Sequence, residues 1–386
     1  MLGFTFFLDT IIEFGRGKIK ELPKYLKRFQ ISKPFIITEK ALFDLGLLEP
    51  IFKVLSEQGI PYEISLEVQA DPEAEVVNHI SAIAQENGCD GIIALGGGSS
   101  IDTSKAVSII VSNGGKAEEY LDGNGESKRN IEINPLPIIA IPTTSGTGSE
   151  VSKYSVITYN KVKDSISSEK IYPRAAIIDS TFMDNLPSRV TANTGLDVLG
   201  HALEAIININ DNEFTDVLAY EALKLVMNNL EAAVHNGSHE VRDNMAFAAL
   251  LAGIAMSHCG AALPHAMGCP MSAHIKIPHG LAVGMLQLPM LQYSKEEVKK
   301  PIEKIVKRIY PQTYLLSSEK CYELFIERLN NLLKSIEINN YIPVSVNKNE
   351  LINTMCRDAM IHGCYNTNKR AFSKEEIEDI YNNILL

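Results

Sequence analysis

The stretch Gly91-Ile92-Ile93-Ala94-Leu95-Gly96-Gly97-Gly98-Ser99-Ser100-Ile101-Asp102 decides the fold class of this chain. Residues 91–95 form a continuous apolar run. Such a run is the pattern of a strand buried on both faces, and strands of that kind belong to parallel sheets covered by helices. The run passes directly into three glycines and two serines, and a helical stretch follows from Thr103 to Ser112. Glycines at a strand-to-helix turn let backbone N–H groups come close to a phosphate, and the helix N-terminus adds a favourable dipole. The spacing departs from the usual dinucleotide fingerprint, because Ile101 stands where its third glycine would fall.

The same rhythm extends on both sides. Phe35–Thr38, Leu136–Ile141 and Ala175–Asp179 are further short apolar runs bounded by turn residues. Amphipathic stretches lie between them, Leu47 to Gln58 stopping at Gly59 and Glu73 to Asn87 stopping at Gly88. This β-α-β order predicts a parallel sheet with helices on both faces. The rhythm changes near Leu186-Pro187. Beyond it come helical patterns over 189–208, 211–236, 240–257, 280–293, 321–335 and 348–364, with no convincing strand. We therefore expect an α/β dinucleotide-binding domain over 1–185 and an all-helical domain over 186–386, with a ligand cleft between them. A chain of 386 residues accommodates two such domains.

Composition narrows the function. With 36 basic and 47 acidic residues the formal net charge is −11, which gives no electrostatic reason to bind nucleic acid or anionic lipid. No apolar run reaches 18 residues, so no membrane span is expected. The six cysteines are scattered without a C-x-x-C pair and read as reduced thiols of a cytoplasmic protein. The apolar start, Met1 to Leu8, lacks a basic flank and a cleavage site and reads as a strand, not a signal peptide.

Two further groups of residues carry chemistry. The run 136–141 ends in Pro142-Thr143-Thr144-Ser145-Gly146-Thr147-Gly148-Ser149-Glu150, a second turn dense in hydroxyls and small residues. Two such loops at neighbouring strand ends suit a dinucleotide. Glu39, just past an early strand, is placed to accept bonds from an adenosine ribose and to repel a 2′-phosphate, favouring NAD over NADP. In the helical half, Asp197 and His201 are four apart and share a helix face. With His265 and His279 they make one carboxylate and three imidazoles, a donor set that suits a divalent iron or zinc ion. Histidines 79, 235, 239, 258 and 362 lack a partner pattern and read as core or surface residues.

At these residues the chain resembles the iron-containing (group III) alcohol dehydrogenase family. The motifs are Gly96-Gly97-Gly98-Ser99 with Asp102, Pro142 to Glu150, Gly195-Leu196-Asp197 with His201-Ala202-Leu203-Glu204, His265-Ala266-Met267, and Pro278-His279-Gly280. They stand in the family's order. The resemblance implies an NAD(H)-linked alcohol dehydrogenase or aldehyde reductase acting on a small alcohol or aldehyde, and a homodimer in which Phe4-Thr5-Phe6-Phe7 pairs as an edge strand. It implies that Asp197, His201, His265 and His279 hold Fe(II), with zinc as the alternative. It also implies that Gly97, Gly98, Ser99 and Asp102 meet the cofactor in the first loop, Thr143, Thr144 and Thr147 in the second, and Lys163 at the ribose.

One departure stands out. Many members carry a second histidine four residues after that of the His-Ala-Met motif, acting as a proton relay. This chain has Cys269 there. A thiol is a weak substitute for an imidazole near neutral pH. Cys269 itself and His274, five residues before His279, are the candidates for that role. Two other readings compete: a zinc-dependent relative such as a glycerol dehydrogenase, and a non-catalytic nucleotide- or metal-binding protein on the same scaffold.

Overall fold

The computed structural model describes residues 3–339, 341–344 and 347–386. The chain divides into two compact units, one formed by Phe7–Asn185 and the other by Leu186–Leu386 together with the N-terminal segment up to Phe6.

The first unit is built on a six-stranded sheet. Its strands are β1 (Ile11–Phe14), β2 (Pro34–Ile37), β3 (Glu63–Ser65), β4 (Gly91–Gly96), β5 (Ile138–Pro142) and β8 (Ala175–Ile178), in the order β1-β8-β5-β4-β2-β3. Every pairing is parallel. The four inner strands are buried at every residue, which is why they read as unbroken apolar runs. Helices α1 (Leu22–Arg28), α2 (Lys40–Asp44), α3 (Glu49–Glu57), α4 (Ala74–Glu86) and α5 (Gly98–Asn113) lie along the connections. Two apolar cores result. One gathers Phe35, Ile92 and Ala94 with Val77, Ile80 and Val107, and the other gathers Ile36, Ile93 and Leu95 with Leu22, Ile51 and Leu55. The alternation of strand residues between the two cores follows from the period of two along a strand.

Three elements of this unit differ from expectation. The N-terminal apolar segment is not a strand over its described residues 3–10; the edge of the sheet is β1. Met1 and Leu2, included in that expectation, lie outside the described residues. The aromatic rings at 4 and 6 are used on the helical unit, Phe6 stacking on His258 at 4.2 Å and meeting Phe214 at 4.4 Å. An antiparallel hairpin, β6 (Tyr154–Tyr159) and β7 (Val162–Ser167), was not legible from the sequence. Its strands mix polar and apolar residues and are only partly buried. Helix α5 begins at Gly98, not at Thr103, so the glycine-serine segment forms the helix's first turn.

The second unit is helical: α6 (Ser188–Ile207), α7 (Glu213–Asn236), α8 (His239–Cys259), α9 (Leu263–Ile275), α10 (His279–Tyr293), α11 (Lys295–Ile309), α12 (Ser318–Ser335), α13 (Lys348–Ile361) and α14 (Lys374–Ile384). No strand occurs among its described residues, only isolated bridges. Asn212 caps α7 through a reciprocal box with Thr215, and Ser373 caps α14 through one with Glu376. No single described helix is long and apolar enough to cross a membrane.

A buried lysine fastens the first unit's two loops to one another. The ammonium of Lys105, wholly buried in α5, donates to Ser149 Oγ at 2.8 Å, Ser152 Oγ at 3.1 Å and Tyr154 O at 2.6 Å. Burial lowers its pKa to about 8 despite Asp102 at 3.7 Å. Glu150 beside it is pushed up to about 7 by the same desolvation. A carboxyl raised in the folded state contributes stability present below its ordinary value and lost as pH rises through 7. Glu150→Gln should therefore leave the melting temperature nearly unchanged at pH 5 and raise it relative to wild type at pH 8; thermal unfolding at the two pH values checks this.

Candidate active site

In the first unit the two loops leave adjacent strand ends. Gly96 at the end of β4 pairs in register with Pro142 at the end of β5, and Thr143 N donates to Gly96 O at 3.0 Å. The loops touch. A Cβ on Gly97 would lie 3.3 Å from Thr144 Oγ1, and one on Gly98 would strike Thr147 Cγ2 at 2.6 Å. Gly96 has φ +145°, outside the range of ordinary side chains. The N-cap is Gly97, so no side chain caps the α5 N-terminus. Gly97, Gly98 and Ser99 are partly exposed there, as are Thr144 and Thr147, whereas Thr143 is buried. Glu39 follows β2, the neighbour of β4, and Ser100 Oγ donates to it at 3.5 Å; burial holds its carboxyl above the ordinary range.

Two predicted cofactor residues have partners within the protein. Asp102 accepts from Ser149 Oγ at 2.5 Å and Val156 N at 3.0 Å, joining α5 to the second loop and the hairpin. Lys163, on β7, is paired with Asp71 at 2.5 Å.

In the second unit α6 presents Asp197, His201 and Glu204 along one face. His265 lies in the first turn of α9 and His279 opens α10. The ligand atoms of Asp197, His265 and His279 all lie within 4.8 Å of one another. Around Asp197 Oδ1 the imidazole Nε2 atoms stand at 3.6 Å (His265), 3.8 Å (His279) and 3.9 Å (His201). The rings of His201 and His265 stack at 4.7 Å.

Asp197 Oδ1 and His265 Nε2 are buried and have no hydrogen-bond partner. Buried polar atoms are nearly always satisfied, and a buried carboxylate oxygen ringed by three imidazole nitrogens at 3.6–3.9 Å is a place for positive charge, which a cation can supply. A hard carboxylate with borderline imidazoles is the donor chemistry of a divalent first-row metal. The residues therefore fit the ion that the sequence implied. Burial alone would raise the Asp197 carboxyl, but the imidazoles of His201, His265 and His279 outweigh it and hold the group well below the ordinary carboxylate range.

Sequence reasoning gave Glu204 no role. The structure places Glu204 against His265: its Oε1 lies 2.8 Å from His265 Nδ1 and accepts from Gln287 Nε2 at 2.6 Å, while Oε2 accepts from Ala262 N at 2.6 Å. Glu204 is wholly buried. The legible signal was its spacing, three residues after His201 and seven after Asp197, on the same helical face. Glycines bring the ligand helices together. A Cβ on Gly280 would lie 1.9 Å from Asn193 O, and one on Gly200 would meet Val283 at 2.6 Å. His274 Nε2 lies 2.8 Å from Asp358 Oδ2, and Cys269 is buried on α9.

A parallel-sheet unit with paired phosphate-type loops and a helical unit with a carboxylate-imidazole centre define a metal-assisted, nucleotide-dependent oxidoreductase. The comparisons agree. Residues 9–180 match the model described as iron-containing alcohol dehydrogenase, and residues 191–385 match that for the C-terminal part of the Fe-containing alcohol dehydrogenase family. The chain is 32% identical over 386 residues to the NAD-dependent methanol dehydrogenase of Bacillus methanolicus, covering 99% of this chain and 100% of that one. It is 37% identical over 286 residues to the sulfoacetaldehyde reductase of Bilophila wadsworthia, covering 73% and 72%. A crystal structure of a 1,3-propanediol oxidoreductase superposes with a TM-score of 0.91 at 28% identity, covering 99% of each chain. This chain belongs to the iron-containing alcohol dehydrogenase family. It is an NAD-dependent oxidoreductase that interconverts alcohols and aldehydes.

Glu204→Gln keeps the shape of the side chain but removes the charge that fixes His265. Metal affinity should fall by about 10- to 100-fold while the fold is retained, as read by metal titration and circular dichroism.

Proposed function

We propose that this chain uses Fe(II), held by Asp197, His201, His265 and His279, to oxidise a small alcohol or reduce the matching aldehyde with NAD(H). The observation that supports it most is the convergence of the Nε2 atoms of His265, His279 and His201 on Asp197 Oδ1 at 3.6–3.9 Å, with Asp197 Oδ1 and His265 Nε2 buried and making no hydrogen bond. A divalent cation bound there supplies Lewis acidity, stabilising negative charge on a substrate oxygen.

The chain's own residues do the rest. Asp197 contributes the anionic ligand, and Glu204 keeps Nε2 of His265 free for the ion by engaging Nδ1. Gly97, Gly98 and the first turn of α5 present backbone donors to the cofactor's pyrophosphate, with Thr144 and Thr147 beside them. Glu39 accepts from the adenosine ribose and disfavours a 2′-phosphate. Lys163 and Asp102 act from the surrounding layer, through Asp71 and Ser149. We place the protein in the cytoplasm as a homodimer, on its scattered free cysteines and the family resemblance. Methanol and sulfoacetaldehyde are the substrates named for two relatives, and a short primary alcohol or a small anionic aldehyde is the class proposed here.

Asp197→Ala and His265→Ala should lose bound iron and turnover together, measured by metal analysis and by NADH absorbance with a panel of short aldehydes. A variant that keeps full turnover without metal would show the ligand assignment to be wrong. Glu39→Gln should improve the use of NADPH relative to NADH, read as the ratio of the two kcat/KM values; an unchanged ratio removes Glu39 from cofactor choice.

A further inference from the structure

Helix α9 carries the ligand His265 as its third residue, and its own sequence offers that first turn no cap. The N-cap position is Ala262, which has no polar side chain, and Leu263 and Pro264 follow. The first N–H groups of a helix have no intrahelical partner, so each needs one from elsewhere. Here every one is met. Ala262 N donates to Glu204 Oε2 at 2.6 Å, and Leu263 N donates to Asn368 Oδ1 at 2.9 Å. Pro264 has no N–H to satisfy. His265 N closes back on Ala262 O at 3.1 Å. The helix that presents His265 is thus capped by two distant side chains, Glu204 on α6 and Asn368, which is 105 positions from the residue it caps.

Asn368 lies between α13 and α14, and its neighbours reach the same place. Thr367 Oγ1 donates to Ala261 O at 2.7 Å, in the link between α8 and α9. Lys369 Nζ donates to Ile206 O at 3.0 Å, one of the last carbonyls of α6, and pairs with Asp211 at 2.7 Å. An ammonium there satisfies an orphan carbonyl and opposes the negative end of the helix dipole. The backbones join as well. Asn368 forms an antiparallel bridge with Asn208, and Ile209 N donates to Thr367 O at 2.9 Å. Asn208, the C-cap of α6, sends its side-chain amide to Ala261 O at 2.9 Å and Gly260 O at 3.2 Å. The amide of Asn368 is itself held: Nδ2 donates to Tyr365 O at 3.0 Å, which leaves Oδ1 for Leu263 N.

Three consecutive residues therefore close the C-terminal end of α6 and the N-terminal end of α9 at one joint. Those two helices carry Asp197, His201 and Glu204 on the one side and His265 on the other. Metal–ligand distances tolerate only about 0.2 Å. His265 stands in the first turn of its helix, where an uncapped end frays and would carry the imidazole with it.

We propose that Asn368 is a positioning residue for the metal centre: by capping α9 it fixes His265 against the ligand face of α6, with Thr367 and Lys369 holding the same joint closed. This rests on the metal-site reading above and deepens it. It gives the segment between α13 and α14 a part in metal binding, although the four ligands lie elsewhere.

The test measures Fe(II) affinity, by anaerobic titration against a competing chelator, beside the thermal midpoint of the metal-free protein. Asn368→Ala should raise the Fe(II) dissociation constant by about 10-fold. Asn368→Asp keeps an acceptor for Leu263 N and should hold the constant within about twofold of wild type. Ser317→Ala is the control. It removes the cap of α12, a helix that carries no ligand, and should lower the metal-free midpoint without changing Fe(II) affinity. If Asn368→Ala does not fold, Lys369→Met decides in its place: it frees Ile206 O on α6, leaves the α9 cap, and should also raise the constant. Wild-type affinity in N368A (or in K369M in its place), an N368D as weak as N368A, or an equal loss in S317A would each overturn the inference alone. A wild-type chain that binds no Fe(II) would overturn the metal reading and the inference together.

Discussion

The second unit depends on bringing a carboxylate and three imidazoles together at a site where all but His279 are buried. Asp197, His201 and His265 are each less than 7% exposed. Burying such groups is costly unless each is paired. The structure meets that cost in layers. Asp197 faces the imidazoles; His265 turns its other nitrogen to Glu204; and Glu204 is held by Gln287 and the Ala262 amide. Each layer is buried, and removing one exposes the next as an unsatisfied charge. Three helices must hold registry for the arrangement to exist, which explains glycines where α10 approaches α6.

The first unit solves a different problem with the same economy of side chains. Its cradle needs backbone donors and room, so the residues there are small. The order behind it comes from Lys105, whose ammonium reaches three oxygens on the second loop and the start of the hairpin. The glycine-rich edge is in this way backed by a buried hydrogen-bonded cluster. Asp102 belongs to that cluster through Ser149 and Val156, so its presence in the motif has a structural reason beside the cofactor.

Much of this was legible in the sequence because the signals were of the strongest kind. The inner strands are buried on both faces, and their runs could be read without ambiguity. The spacing of Asp197 and His201 on one helix face, with two further histidines, predicted a cluster that the fold assembles. What stayed hidden was set by tertiary contact. The hairpin at 154–167 has no clean alternation. The N-terminal phenylalanines resemble a strand but serve as packing for helices. Glu204 lay in plain view within a motif, but its task is visible only once His265 is beside it.

The close approach of α6 and α10 has one more consequence. Gly200, Gly280 and Gly284 let these helices meet through backbone and aliphatic contacts that involve no ion. The separation of Asp197 and His201 on α6 from His279 on α10 is therefore set by backbone packing, and a side chain added at any of these three glycines would force those groups apart.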